Sequence, residues 1–322
     1  MPFHTRRTHP VPPACRFARI TFTTPPRPLD AEALFPGLAA HRATATRLHP
    51  RAGRPTVRDS HVGGPLLWPA GEPWPECDEP HRYGGPLLAV AQLYARDVPD
   101  LAPGPDGCDL LQVFWCPFDL HGPTGYGMHV RLRWRRSAEV REVAAPQPPP
   151  GRVGFDGYVP EPCLLHPERV TEYPYIELLT GELGERVAEW EDAQEEAAYE
   201  DEDEDAYVDE AAYEDGDGEA AAPPTYQGDL SVAPGWKAGG HAAWNVTGPG
   251  SADCSDCGHA MRLLLTIDSY EWRSDSESWR PLPTDAGADT NRPTGVAVGN
   301  FGKLNVFACR RDPAHPHHFS VQ

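Results

Sequence analysis

The sequence predicts a mainly β protein, a β-rich α+β fold in which two repeated antiparallel units pack into one pseudo-symmetric body, with a disordered acidic linker between them. Three observations carry this. Prolines (38) and glycines (30) make up about a fifth of the 322 residues, against roughly 12% in an average domain, and such punctuation favours short strands over long helices. Several runs alternate apolar with polar residues at the strand period. Two segments on either side of an acidic stretch repeat the same features in the same order.

Taken in order, residues 1–56 are rich in Arg and Pro and read as an arm that partly docks and partly frays, with one short helix at Asp30–Ala40. A first β repeat is expected over 57–181, with strands at Leu87–Leu93, Leu110–Cys116, Gly127–Trp134, Ala138–Val143 and Arg169–Tyr175. Residues 182–226 combine a helix, in which Leu183, Val187 and Trp190 fall at i, i+4 and i+7, with a linker over 200–226. Its acid runs leave nothing to build a core from. A second β repeat follows over 227–322, with strands at Met261–Ser269, Leu304–Cys309 and His318–Gln322.

The repeat is read from four matched features. Val62-Gly63-Gly64-Pro65-Leu66-Leu67-Trp68 parallels Ala238-Gly239-Gly240-His241-Ala242-Ala243-Trp244, and a Cys-containing turn follows each. Next come the apolar runs 87–93 and 261–267, then Leu111-x-Val113-Phe114-x-Cys116 against Leu304-x-Val306-Phe307-x-Cys309. Trp68, Trp74 and Trp244 read as anchors of Gly-rich turns rather than as contact residues.

The net charge of −20 is unevenly spread: residues 182–219 hold 19 acids and one Arg, whereas residues 1–58 hold ten Arg against Asp30 and Glu32. The total therefore describes an appendage more than any one surface. No run reaches the roughly 18 apolar residues of a membrane span, and the first residues lack the apolar core of a signal peptide. Cytoplasmic localisation is the expectation, with no membrane partner. The acidic body opposes nucleic-acid binding, although the arginine arm would permit it.

The chemistry-bearing pattern lies in the cysteines and histidines. Cys254-x2-Cys257, then Cys309-x5-His315, offers three thiolates and an imidazole; the CxxC turn is followed by Gly258, suited to positive φ. Four protein ligands with no open position make a closed, structural zinc site. Reduced thiols and a redox pair remain alternatives, and His317 and His318 compete with His315. The first half carries a weaker set, Cys77, His81, Cys116 and His121, with Cys108 as a competing ligand and buried, metal-free cysteines as the alternative. Cys15 and Cys163 read as packing residues.

At Gly63-Gly64-Pro65, Trp68-Pro69-x-Gly71, Trp74-Pro75-x-Cys77, Pro86-Leu87, Leu88-x3-Gln92-Leu93, Leu111-Gln112-Val113-Phe114, Gly239-Gly240, Cys254-x2-Cys257-Gly258, Met261 and Leu304-x-Val306-Phe307-x-Cys309 the chain resembles the YwqG-like family of bacterial domains of unknown function. The same order is similar, more distantly, to the programmed cell death protein 2 family. The resemblance covers about 57–180 and 228–322. It implies a mostly β fold from a repeated unit, and by the distant analogy a binding module or chaperone for a ribosomal protein. The acidic insertion, Thr266 where the second repeat usually has Gln, and the N-terminal arm depart from the family pattern.

No nucleophile elbow, P-loop, dinucleotide fingerprint or H-E-x-x-H occurs. The acidic run fails as an EF-hand because Ala206 and Ala212 stand where Gly and Glu are needed. Together these readings point to a non-enzymatic, zinc-stabilised binding module for a protein client, with a basic surface for the acidic segment to meet. The alternative is an enzyme of unrecognised type acting on a small substrate in the cleft between repeats. The oligomeric state is not legible.

Overall fold

The computed structural model describes residues 21–78, 83–122, 127–205, 223–244, 247–284 and 290–322. Twelve strands are present among them: β1 (Ala43–Arg47), β2 (Arg51–Ala52), β3 (His61–Val62), β4 (Leu88–Tyr94), β5 (Leu110–Trp115), β6 (Val130–Arg135), β7 (Cys163–Leu164), β8 (Glu168–Glu172), β9 (Lys237–Gly239), β10 (Arg262–Asp268), β11 (Lys303–Ala308) and β12 (His318–Val321). They form two six-stranded antiparallel sheets, ordered β12-β11-β10-β9-β1-β8 and β2-β7-β3-β4-β5-β6.

One apolar core runs through both sheets, joining Val90, Leu93, Leu111 and Val113 to Leu264, Ile267, Leu304 and Val306. Each such side chain contributes roughly 1.5–3 kcal/mol on full burial. The central hairpins β4–β5 and β10–β11 both slip by one residue, between Ala89 and Ala91 and between Leu263 and Leu265. A bulge puts neighbouring residues on one face. That is why Val90 and Ala91, or Leu264 and Leu265, both enter the shared core and why these strands read as apolar runs rather than strict alternation.

The two sheets correspond pair by pair. His61 pairs with Gln92 and Val62 with Ala91, as Lys237 pairs with Thr266 and Ala238 with Leu265. Gln92 faces Gln112, and Thr266 faces Asn305. The side chains repeat the scheme: Gln112 Nε2 donates to Gln92 Oε1 (3.0 Å) and to the Leu67 carbonyl (3.1 Å), while Thr266 Oγ1 donates to Asn305 Oδ1 (2.9 Å) and Asn305 Nδ2 to the Ala243 carbonyl (2.8 Å). Thr266, the departure noted in the sequence, thus bonds the same cross-strand neighbour as Gln92 with the direction reversed: Gln92 accepts from Gln112, whereas Thr266 donates to Asn305.

The remaining strands change the division expected at residue 57. β1 and β2 are joined by Leu48-His49-Pro50, and β7 and β8 by Leu165-His166-Pro167. Each Leu-His-Pro link carries the chain from one sheet to the other, so β1 lies beside β9 and β8, and β7 beside β3 and β2. Arg47 pairs with Glu168 and Leu164 with Arg51, the same register at both crossings. Residues 43–52, assigned to the arm, are therefore sheet, and residues 163–172 match them rather than ending the first unit. Of these four, β8 (Glu168–Glu172) overlaps the strand expected at Arg169–Tyr175; β1, β2 and β7, short and with non-local partners, left no pattern to read.

Three other expectations shift. Residues 138–143 form no strand, because Asp109 accepts both the Ser137 N–H and its hydroxyl at 2.6 Å and closes Ser137–Glu139 into a 3₁₀ turn. The Asp30–Ala40 helix splits into α1 (Ala31–Leu34), capped by Asp30, and a 3₁₀ turn at Pro36–His41. The acidic helix α2 spans Gly181–Asp205, longer than expected, and Tyr226, placed in the linker, is fully buried beside Phe35 and Leu230. Glu191 accepts the Tyr226 N–H and the Tyr226 hydroxyl donates to the Pro174 carbonyl, both at 2.8 Å. Residues 206–222 lie outside the described residues. Among the described residues no helix is long and apolar enough to cross a membrane.

Candidate metal centre

Each sheet also carries its own small core, and five of the seven described cysteines sit in these. Trp244, Met261, Phe307, Cys254 and Cys309 pack together on one sheet; Trp68, Leu87, Phe114 and Cys116 pack with half-buried Cys77 on the other. Trp68 and Trp244 are buried against Phe114 and Phe307, so both are structural anchors.

On the C-terminal sheet, Cys254, Cys257, Cys309 and His315 place one donor atom each, all within 4.8 Å of one another. Cys254 Sγ lies 3.3 Å from His315 Nδ1, and Cys257 Sγ 3.6 Å from Cys309 Sγ. The second distance is far beyond the roughly 2.05 Å of a disulfide, and none of the seven described cysteines forms one. The knuckle is built locally. Cys254 and His259 exchange a backbone bond, the Gly258 N–H donates to the Cys254 carbonyl (2.8 Å), and Gly258 takes φ +67°. Cys309 ends β11, and the loop into β12 brings His315 back over it. The Asp312 and Arg311 backbone N–H groups aimed at the Cys309 sulfur pull its thiol down to about 6, which favours the thiolate that a metal requires. Asp312 lies 3.7 Å from His315 Nε2, on the ring edge away from the sulfurs. The competing histidines are elsewhere: His317 Nε2 lies 2.9 Å from the Val130 carbonyl, and His318 is in β12 against Phe307.

On the other sheet, Cys77, Cys116 and His121 form a second cluster within the same 4.8 Å limit, with Cys77 Sγ 3.8 Å from His121 Nε2. Burial pushes the Cys116 thiol up to about 12. His81, the fourth residue of this set, lies outside the described residues, as does Cys15. Cys108 is half-buried in the loop before β5 and belongs to neither cluster, and Cys163 is buried in β7 with its thiol donating to the Pro293 carbonyl.

Sequence reasoning missed a set of buried charges beside the Gly-Gly turns. Lys237 is fully buried against Glu172 (2.6 and 2.8 Å) and donates to the His241 carbonyl (2.6 Å). At the matching position the His61 ring accepts the Gly64 N–H at Nδ1, so Nε2 carries the proton donated to Pro65 O (3.0 Å). One buried donor thus closes each Gly-Gly turn. The signal was present, a polar residue two before each Gly pair, but it has no meaning until the turn is folded.

No protein-family model matches the chain, and no curated protein matches it.

Proposed function

We propose that the chain is a non-enzymatic, zinc-stabilised protein-binding module of the YwqG-like type, with two duplicated halves, working in the cytoplasm on a client with a basic surface. The observation that carries the stabilising role is the closed Cys254, Cys257, Cys309 and His315 cluster. With Zn–S of about 2.3 Å and Zn–N of about 2.0 Å, a tetrahedron separates two sulfurs by about 3.8 Å and a sulfur from a nitrogen by about 3.5 Å. The 3.6 and 3.3 Å separations fit those edges. Three soft thiolates and an imidazole suit zinc, and four protein donors leave no position for a substrate. Zinc there ties the knuckle before β10 to the end of β11, and a reducing compartment keeps the thiols available to it.

The binding role rests on α2. Its base is anchored by buried Val187 and half-buried Leu183 and Trp190, while Glu185, Glu189, Asp192, Glu195 and Glu196 are exposed. The enzyme alternative finds less support. The cavity of about 230 Å³ beside Gly63 and Gly64 is lined by Trp74, Leu87, Gln147 and prolines, with no acid, base or nucleophile among the described residues. In the polar hollow at Ser60, Asp97 and His166, the Ser60 hydroxyl donates to Asp97 (2.7 Å) and accepts the Tyr94 N–H (2.9 Å), bonds that tie it into the β3–β4 pairing.

The test is binding of an Arg/Lys-rich peptide to the wild type, to E189Q/E195Q/E196Q and to a control with three body acids neutralised, D106N/E139Q/E142Q. At 0.05 M salt the helix variant should bind about tenfold more weakly and the control unchanged, with the difference gone at 0.5 M, where the screening length falls to about 4 Å. Equal affinity for all three proteins at low salt would remove the binding reading, whatever the metal content.

A further inference from the structure

Beside Trp244 lies a hollow of about 240 Å³ whose lining includes Tyr175, Val232, Ala243, Trp244, Arg273 and Lys303. In the first half the matching place is solid. Leu67 follows its Gly-Gly turn as Ala243 does, Tyr94 pairs with Leu110 as Asp268 pairs with Lys303, and Leu67, Tyr94 and Leu110 pack as a small apolar core with Val140 and Val143. Alanine, aspartate and lysine in their place leave room and put charge on its walls. Exchanging an apolar contact for buried charges seldom gains stability, so the exchange points to a use.

These charges do not close on one another. Asp268 is 2% exposed and stands 3.5 Å from Lys303 Nζ and 3.7 Å from Arg273 Nη2, beyond the roughly 2.7–3.2 Å of a hydrogen bond. One buried carboxylate thus faces two cations, and Asp275, also on the lining, is exposed. Arg273 Nη2 donates to the Phe301 carbonyl (2.6 Å), whereas Arg273 Nε and Trp244 Nε1 are buried with no acceptor among the described residues. In the first half Trp68 Nε1 donates to the Glu72 carbonyl (2.9 Å), and the Glu72 carboxylate accepts from Arg135 (2.7 and 2.9 Å) and Arg133 (2.9 Å). There the chain carries its own carboxylate four residues after the Trp; four residues after Trp244 stands Gly248.

We infer that the hollow beside Trp244 binds a small organic carboxylate, held by Arg273 and Lys303 and walled by Tyr175 and Trp244. The donors decide the sign of the ligand: an indole N–H, a guanidinium and an ammonium can serve only an acceptor, and a ligand oxygen would satisfy donors that folding leaves unmet. Tyr175, Val232 and Trp244 suit a planar or short apolar tail better than a bare inorganic anion. At about 240 Å³ the hollow is smaller than the roughly 300–1,000 Å³ of pockets for drug-sized molecules, so the ligand is small. Binding is non-covalent and changes no oxidation state.

This site is independent of the α2 acids that carry the client-binding reading, so either can fail alone. Benzoate is titrated into the full-length chain by calorimetry, with the Trp244 indole N–H followed by NMR and assigned with W244F. Benzoate should bind and shift that resonance saturably. Neutral benzamide and cationic benzylamine should bind at least about tenfold more weakly, the factor that one charge-assisted hydrogen bond is worth. R273Q should weaken benzoate by a similar factor. A243L, which supplies the leucine of the first half and alters no charge, should abolish binding, and R96Q, in the separate hollow beside Ser60, should change nothing. Circular dichroism checks that each variant is folded, and the comparison of benzoate, benzamide and benzylamine on the wild type needs no variant. A wild type that ignores benzoate, or binds benzamide equally well, overturns the site. So does full affinity for benzoate in folded A243L or R273Q.

Discussion

Replacing Glu271 with Gln should stabilise the protein in a strongly pH-dependent way. Glu271 is 2% exposed. Among the described residues its Oε1 accepts the Trp236 N–H alone, at a long 3.3 Å, and its Oε2 stands 4.0 Å from His49 Nδ1. Burial pushes the carboxyl from 4.5 up to about 7, with Arg47 and Arg51 pulling back part of the way. A folded value above the unfolded one means the native state holds the proton more tightly. The associated stability is fully present below about 4.5 and is lost as pH rises through 7. At 1.36 kcal/mol per unit, a shift of this size totals about 3 kcal/mol, of which about 2.5 kcal/mol falls between pH 5 and 8. Gln does not titrate and keeps an oxygen for Trp236. His49, held down to about 4 by burial, stays neutral over the same range and does not mask the effect. Urea unfolding of both proteins at pH 5, 6, 7 and 8 isolates the residue, since every other group cancels in the difference. The advantage of E271Q should grow steadily with pH. A difference that stays flat, or shrinks, would refute the assignment of a carboxyl destabilised by its own burial.

Two further outcomes follow from the buried turns. K237M strands the buried Glu172 carboxylate without its ammonium and should cost about 3–5 kcal/mol in urea unfolding, partly recovered in K237M/E172Q; a loss below about 1 kcal/mol would show that Glu172 is held by the Ala233 and His241 N–H groups alone. Gly240 adopts φ +72°, and a Cβ there would stand 2.1 Å from Glu172 Oε2 and 2.8 Å from the Ala45 Cβ. G240A should therefore destabilise by about 2–4 kcal/mol in thermal unfolding, with G71A, whose Cβ would meet nothing within 4 Å, near neutral as the control.

Both of these residues illustrate where sequence reading stops. The apolar runs of β4, β5, β10 and β11 are long enough to announce themselves, and the matching Leu-x-Val-Phe-x-Cys ends announce that they come in pairs. That Cys254, Cys257, Cys309 and His315 could cluster was legible for a similar reason: a CxxC turn is a local feature, and a Cys at the end of an apolar strand with a His six residues on is nearly one. Lys237 by contrast reads as an exposed cation until Glu172, 65 residues away, is folded against it. Asp109 closing Ser137 into a turn, where alternation suggested a strand, is the same kind of long-range override.

Composition and local period by themselves determined that this chain would be β-rich, that its charge would be concentrated in one acidic segment, and that Cys254 and Cys257 would share a turn. These depend on neighbours within a few residues. Only the tertiary structure decided that β1 and β2 belong to different sheets, that the two Leu-His-Pro links are the matching crossings, and that Cys77, Cys116 and His121 meet. Strand pairs that close over a hundred residues are selected by the core they bury together, and two-residue strands such as β2, β3 and β7 carry too few side chains to encode a partner.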